Sequence, residues 1–378
     1  MPFICVECIK HPSLKKLATQ YGVDARCAVC RNQRASVDAD NNDFRQLFKA
    51  LIRFHYHEWE YNTHFGGGEL ESLFYSENPI LNTIDSENIP EDDDDYYYSV
   101  LEAAFKSPYE DYEKGVTLFS GYMDGQQLPL LRSIRSQAHP SVEKIAARLK
   151  TENYFNLESE TQGFLQKYKR LITIEVPANS RFFRARVGFR SERRSGDWGT
   201  ENSYEPFIGP DIAAPPPRLA SSARINRQGV SFFYAATTSE TAVAEVRPHP
   251  GDVVSIGRFS TRRPLTIADF TETRIESFSA SDQLLDDFLI LNTINTYLNQ
   301  VVPPSDQNHY SVTQLIADAL RKLGYDGICF LSTVGKGHNL VVFYPELMEE
   351  MLGEGQVVRV DALRYSTRAM RVADKDDF

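Results

Sequence analysis

RLASSARINRQGVSFFYAATTSETAVAEVR, residues 218–247, is the stretch on which the reading of this chain turns. It sets a basic pair, Arg224 and Arg227, just before a turn at Gln228 and Gly229. A short β-type run follows over residues 230–235 and carries Tyr234. Glu245 then falls inside a mostly apolar segment, residues 241–246. A carboxylate in apolar surroundings is costly unless a cation or a polar group answers it. The nearby arginines answer it, or they hold an anionic ligand against it. Either way the stretch reads as a site built on strands.

Around it, from about residue 165 onward, short β-type runs bounded by turns are expected at 171–176, 182–186, 230–235, 253–259, 328–331 and 340–344. Two helices interrupt them. One covers roughly 281–302; the other starts at Ser311 with Gln314 three residues on, a capping box, and ends before Gly324. Residues 187–229 form a long irregular stretch with Arg190, Arg193, Arg194 and three prolines at 215–217. Loops of that length inside a domain are usually functional covers or disordered segments.

Upstream, residues 38–160 read as helical. Phe44, Leu47, Phe48, Leu51 and Ile52 recur at three- and four-residue spacing after Asn41, Asn42 and Asp43, which are suited to cap a helix. Val100, Leu101, Ala104 and Phe105 make a shorter stripe. Val142, Ile145, Ala146 and Leu149 make a third, starting after Pro140. Gly66, Gly67 and Gly68 are no phosphate loop, because no Gly-Lys-Ser/Thr follows. The acidic run 92–95 reads as a solvated loop.

The head of the chain is a cysteine module. Cys5-x-x-Cys8 and Cys27-x-x-Cys30 lie eighteen residues apart, the spacing of a four-thiolate zinc site. In a segment this short a structural metal supplies stability that a small core cannot. Disulfides are the alternative, and they fit poorly with the cytoplasmic location expected from the lack of a signal-peptide pattern or membrane-length apolar run. Cys329, in the apolar run 327–331, reads as a packing residue. The organisation expected is a zinc-binding module at 1–37, a helical domain at 38–160 and an α+β domain at 165–378.

Charge is unevenly spread over the 378 residues: the first 37 carry a net +4, residues 38–150 carry −11, and the rest −4. The acidic middle argues against nucleic acid lying across it, while the basic head suits an acidic partner.

Arg184 in RFFRAR, Glu245 in TAVAEV and Ser332 closing YDGICFLS stand in that order along the chain. Together with ARINRQG and SFFYAA they resemble the RES family, the toxins of RES–Xre toxin–antitoxin pairs, over about residues 170–345. The zinc and helical regions are similar, more loosely, to the HEPN-like extension found before some RES domains. The resemblance implies a mixed α/β domain related in fold to ADP-ribosyltransferases. It also implies an enzyme that degrades NAD+ at the nicotinamide–ribose bond, with water or phosphate as acceptor, and an antitoxin or regulatory protein as partner, self-association remaining open.

That chemistry suits the residues. Cleavage builds positive charge on the ribose, which a carboxylate stabilises, and Glu245 is assigned that role. Arg184 and Arg224 are suited to the pyrophosphate, Tyr234 to stacking on the nicotinamide or ribose, Ser332 to orienting the substrate. Arg186, Asn226 and Asn339 complete the candidate substrate-binding set. Of Arg184 and Arg186, Arg184 is preferred as the pocket residue; Arg227 competes with Arg224. Each residue has a plainer reading: Glu245 as an ion-pair partner of Arg247 or Arg224, Tyr234 as a core aromatic, Ser332 as a turn cap before Gly335. Two further activities stay open: ADP-ribosyl transfer to a macromolecule through the same pocket, and a HEPN-type ribonuclease using Arg132 and His139.

Overall fold

The computed structural model describes residues 3–61, 80, 131–193, 202–271, 274–301, 310–364 and 367. The triple glycine, the acidic run 92–95, the stripe from Val100 to Phe105 and Arg194 lie outside them. The chain divides into two compact units, Met1–Ala147 with Glu272–Thr296, and Arg148–Thr271 with Tyr297–Phe378. This departs from the expected boundaries in three places. Residues 1–37 share one unit with the helices that follow them. The helix Tyr154–Lys167 belongs to the second unit, where the Tyr154 hydroxyl donates to Asp318 Oδ2 at 2.5 Å. Residues 272–296 belong to the first, where Asp282 pairs with Lys49 at 3.0 Å and Thr293 Oγ1 accepts the His139 N–H at 2.8 Å.

In the first unit, β1 (Phe3–Cys5), β2 (Val23–Arg26) and β3 (Gln33–Asp38) form a sheet of order β1-β3-β2. The helix Asn42–His55 starts where predicted, with Asn41 Oδ1 accepting from the Phe44 N–H at 3.1 Å. Phe44, Leu47, Phe48, Leu51 and Ile52 are all buried, as their spacing requires. The helix Pro140–Arg148 buries Val142 and Ile145, and Pro140 costs it nothing because a first-turn N–H has no intrahelical partner. His139 is engaged at the same helix start, its Nδ1 accepting from the Ser141 N–H at 3.2 Å, while Arg132 is exposed. No hydrogen bond or ion pair joins these two side chains among the described residues.

The second unit is built on a mixed sheet. Its strands are β4 (Thr173–Val176), β5 (Arg181–Val187), β8 (Phe233–Ala236), β9 (Val253–Thr261), β10 (Leu265–Phe270), β11 (Gly327–Leu331), β12 (His338–Val342), β13 (Met348–Glu350) and β14 (Gln356–Arg359). The order is β13-β9-β5-β8-β12-β11-β10-β4, with β14 also on β9. Among the described strands of this sheet, only β10 and β11 pair in parallel. A parallel pair needs a long crossover, which residues 271–326 supply. The stretch 187–229 is not wholly irregular: β6 (Ser191–Arg193) and β7 (Ser203–Glu205) pair within it. One face of the sheet packs Phe182, Phe233, Phe259, Ile267, Leu340 and Val342 into a core. The other gathers Ala185, Ala236, Ala242 and Val254. Cys329 is buried, and that burial pushes its thiol up to about 12. Among the described residues no helix is long and apolar enough to cross a membrane.

Candidate active site

β5 pairs with β9 along seven register positions but with β8 only through Phe183 and Ala236. Where β5 and β8 part, a cavity of about 460 Å³ opens, in the range of small-molecule sites. Arg184, Arg224, Asn226, Tyr234, Glu245 and Asn339 all line it, so most of the candidate residues converge from five separate segments. Arg186, Arg227 and Ser332 are not among its lining residues.

Glu245 is carried by a helix, not by a strand. Thr238 caps the helix Ser239–Glu245, its Oγ1 accepting from the Thr241 N–H at 3.1 Å, and Ala242 packs against the sheet. Six apolar-rich residues cannot distinguish the two states by periodicity alone, and the cap decides for the helix. Glu245 lines the cavity but is exposed rather than enclosed by apolar groups. Its Oε1 accepts from Ser332 Oγ at 2.7 Å and from Asn339 Nδ2 at 2.6 Å. Solvent access and two donors therefore satisfy the carboxylate where an arginine was expected to. Among the described residues it makes no ion pair with Arg247 or Arg224, and Oε2 has no protein partner.

Ser332 closes the turn before Gly335, its plainer reading, and its hydroxyl reaches Glu245. Its Oγ donates to Glu245 and accepts the N–H groups of Val334 at 3.2 Å and Gly335 at 2.9 Å, so one hydroxyl closes a turn and orients a carboxylate. The turn is pressed onto the Glu245 helix: the Gly337 N–H donates to Thr241 Oγ1 at 2.9 Å, and a Cβ on Gly337 would lie 2.7 Å from that oxygen. Only glycine allows this approach.

The arginines are held by backbone carbonyls. Arg184 donates from Nε to Ile212 O at 2.8 Å and from Nη1 to Tyr234 O at 2.7 Å, across the gap between β5 and β8, and lies 5.4 Å from the Phe233 ring centre. Burial lowers its pKa to about 10. Arg224 donates to Leu298 O and lies 5.7 Å from the Tyr310 ring centre. Neither has a carboxylate partner among the described residues. Arg186 shares a strand face with Arg184, since side chains two apart point the same way. It is exposed and bonded to Asp211 O, beside the Phe207 ring, outside the cavity. Arg227 is committed elsewhere, to Asp318 Oδ2 at 2.6 Å and to the face of Tyr154 at 3.9 Å.

Tyr234 lines the cavity, but its hydroxyl is spent on structure, donating to Asn226 Oδ1 at 2.7 Å and accepting from the Ile225 N–H at 3.2 Å. Asn226 is buried, and its Nδ2 is within bonding distance of Ser221 O, Arg227 O and Val230 O at 2.9–3.1 Å. It organises the 220–230 loop. Two contributors escaped the sequence reading: Tyr310, under Arg224, and Gln314. The capping box proposed for Gln314 does not form as such. The helix Ser311–Lys322 has no side-chain cap, and the Gln314 amide turns to the 222–226 loop.

Removing the Arg184 side chain would leave Ile212 O and Tyr234 O without their charged donor where two strands already part. Arg184→Ala is therefore expected to destabilise the sheet unit by about 2–4 kcal/mol, measured by denaturant unfolding.

In the first unit, Cys5 and Cys8 lie at the end of β1 and in the following turn, Cys27 and Cys30 in the turn between β2 and β3. All four thiols are free, and their sulfurs lie within 4.8 Å of one another, Cys5 to Cys30 at 3.6 Å and Cys8 to Cys27 at 3.9 Å. Four sulfurs about 2.3 Å from a tetrahedral ion stand about 3.8 Å apart, so the cluster fits a metal such as zinc. Backbone N–H groups of Cys5 and Val29 already point at Cys27 Sγ, at 3.2 and 3.3 Å, the outer hydrogen bonding that orients thiolate ligands.

No curated protein matches the chain. Among solved structures, the chain is similar to the M. tuberculosis MbcT–MbcA toxin–antitoxin complex, at 12% identity and a TM-score of 0.30, over 52% of this chain and 92% of that one. Residues 189–362 match the family model described as RES domain. The match takes in Arg224, Glu245, Ser332 and Asn339 and begins just after β5, which carries Arg184. Over residues 189–362, most of which lie in the second unit, the chain is thus similar to the RES domain.

Proposed function

We propose that the sheet unit is a toxin-like enzyme that degrades NAD+ by breaking its nicotinamide–ribose bond. One observation carries the reading: the exposed carboxylate of Glu245 lines the same cavity as two guanidinium groups, and among the described residues its Oε2 has no partner and they have no acid to answer them. A ligand with two phosphates and an electron-poor ribose meets both needs. Arg184 and Arg224 hold the pyrophosphate, and the charge that builds on C1′ as the bond lengthens is stabilised by Glu245. Ser332 and Asn339 both grip Oε1, so Oε2 is left to face the sugar. Nicotinamide departs as a neutral molecule while water or phosphate bonds to the anomeric carbon it leaves, and a neutral leaving group needs no metal to assist it. The four cysteines would hold a structural zinc ion in the separate N-terminal unit. Free NAD+ destruction harms the cell that makes the enzyme, which calls for an antitoxin or regulatory partner.

The test is incubation of the purified protein with NAD+, with and without inorganic phosphate, and identification of the products. Release of nicotinamide with ADP-ribose, or with its 1″-phosphate, is the expected result and names the acceptor. Label found only on a macromolecule would move the assignment to ADP-ribosyl transfer; no release of nicotinamide would end it.

A further inference from the structure

Arg224 stands in a segment without regular secondary structure, so its position depends on what grips the loop around it. The grip comes from one face of the helix Ser311–Lys322. Gln314, buried to 8% exposure, places Nε2 3.0 Å from Ser222 Oγ, 2.8 Å from Ala223 O and 3.1 Å from Asn226 O. Thr313, 1% exposed, donates its hydroxyl to the carbonyl of Arg224 itself. Asp318, one turn beyond Gln314, takes Arg227. Tyr310, just before the helix, lies under the Arg224 guanidinium. Residues 222, 223, 224, 226 and 227 are thus each tied to this helix or to the residue that leads into it, whereas none of the polar contacts of Glu245 involves it.

We infer that Gln314 and Thr313 are positioning residues that set how tightly the cavity binds its phosphate-bearing substrate, acting through Arg224. The inference rests on the proposed NAD+ reading and deepens it. The helix holds the loop main chain so that the Arg224 fork needs no ordering when the ligand arrives, and preorganisation of this kind appears in affinity. The bond-breaking charge lies with Glu245, Ser332 and Asn339, on the other elements. Loosening the loop therefore weakens binding and spares the chemical step.

Gln314→Met keeps the volume and removes the donors. Its KM for NAD+ is expected to rise about tenfold, equivalent to about 1.4 kcal/mol, with kcat within about twofold of the parent. The Kd for ADP-ribose, measured by titration calorimetry, should rise by the same factor. Thr313→Val, which removes a single hydroxyl donor, should shift both in the same direction by less, and serves where the first variant does not fold. The deciding measurement is made in an Arg224→Ala background. If these residues act through Arg224, Gln314→Met or Thr313→Val then adds little to the loss of ADP-ribose affinity. Full additivity there, or a fall in kcat with KM unchanged, would overturn the inference. Failure of the parent protein to bind ADP-ribose or to consume NAD+ would instead strike the functional reading on which it rests.

Discussion

Replacing Glu245 by glutamine is expected to slow NAD+ consumption by about 10²–10³-fold in kcat, the cost of losing one group aimed at developing charge. The amide oxygen still accepts from Ser332 and Asn339, so the helix Ser239–Glu245, the turn after β11 and the outline of the cavity persist. What disappears is the negative charge. Affinity for ADP-ribose is expected to stay within a few-fold of the parent, because the arginines that take its phosphates are untouched. That pairing of outcomes separates an electrostatic role from a structural one. A Glu245→Gln protein that turns over NAD+ at the parent's rate would remove the mechanism proposed above, whatever the fate of the fold.

The second large effect is expected at the cysteine cluster. The purified chain should contain one zinc ion, and Cys27→Ser should abolish its retention. Binding of a structural zinc ion by a small cysteine module is worth about 10–16 kcal/mol, more than a three-stranded sheet of short strands provides alone. Loss of one ligand should therefore unfold the module around β1, β2 and β3, seen as rapid proteolysis between residues 1 and 40. Cys27 is the most demanding position to replace, since its sulfur lies within reach of two backbone N–H groups as well as Cys8. Metal analysis by mass spectrometry checks the first part and limited proteolysis the second. Full metal content in Cys27→Ser would refute the assignment.

Several elements were legible because a local rule dictates them. The apolar spacing after Asn41 specifies a helix with one buried face, and the structure buries all five of its predicted positions. The paired Cys-x-x-Cys motifs predict sulfurs near one another, and they are. Other readings failed where two local structures compete for the same residues. The segment 241–246 is too short for periodicity to separate strand from helix; Thr238 settles it through a cap bond. The Gln314 side chain suits a capping box as well as it suits a distant loop. The loop prevails because a buried amide gains partners there at three positions.

Sequence alone determined the residue types of the candidate site, the cysteine cluster, the mixed α/β character of the larger unit and the amphipathic helix Asn42–His55. Tertiary structure alone decided which arginine faces the cavity. Arg184 and Arg186 are equivalent by strand periodicity, as are Arg224 and Arg227 by their place in one loop. They are told apart by Tyr234 O, Asp211 O, Leu298 O and Asp318, partners up to 91 residues away. It likewise decided that Glu245 is answered by Ser332 and Asn339 rather than by a guanidinium. The reason is physical: a charged side chain takes the best geometry on offer among groups the fold brings together, and that choice is made between strands, not along one.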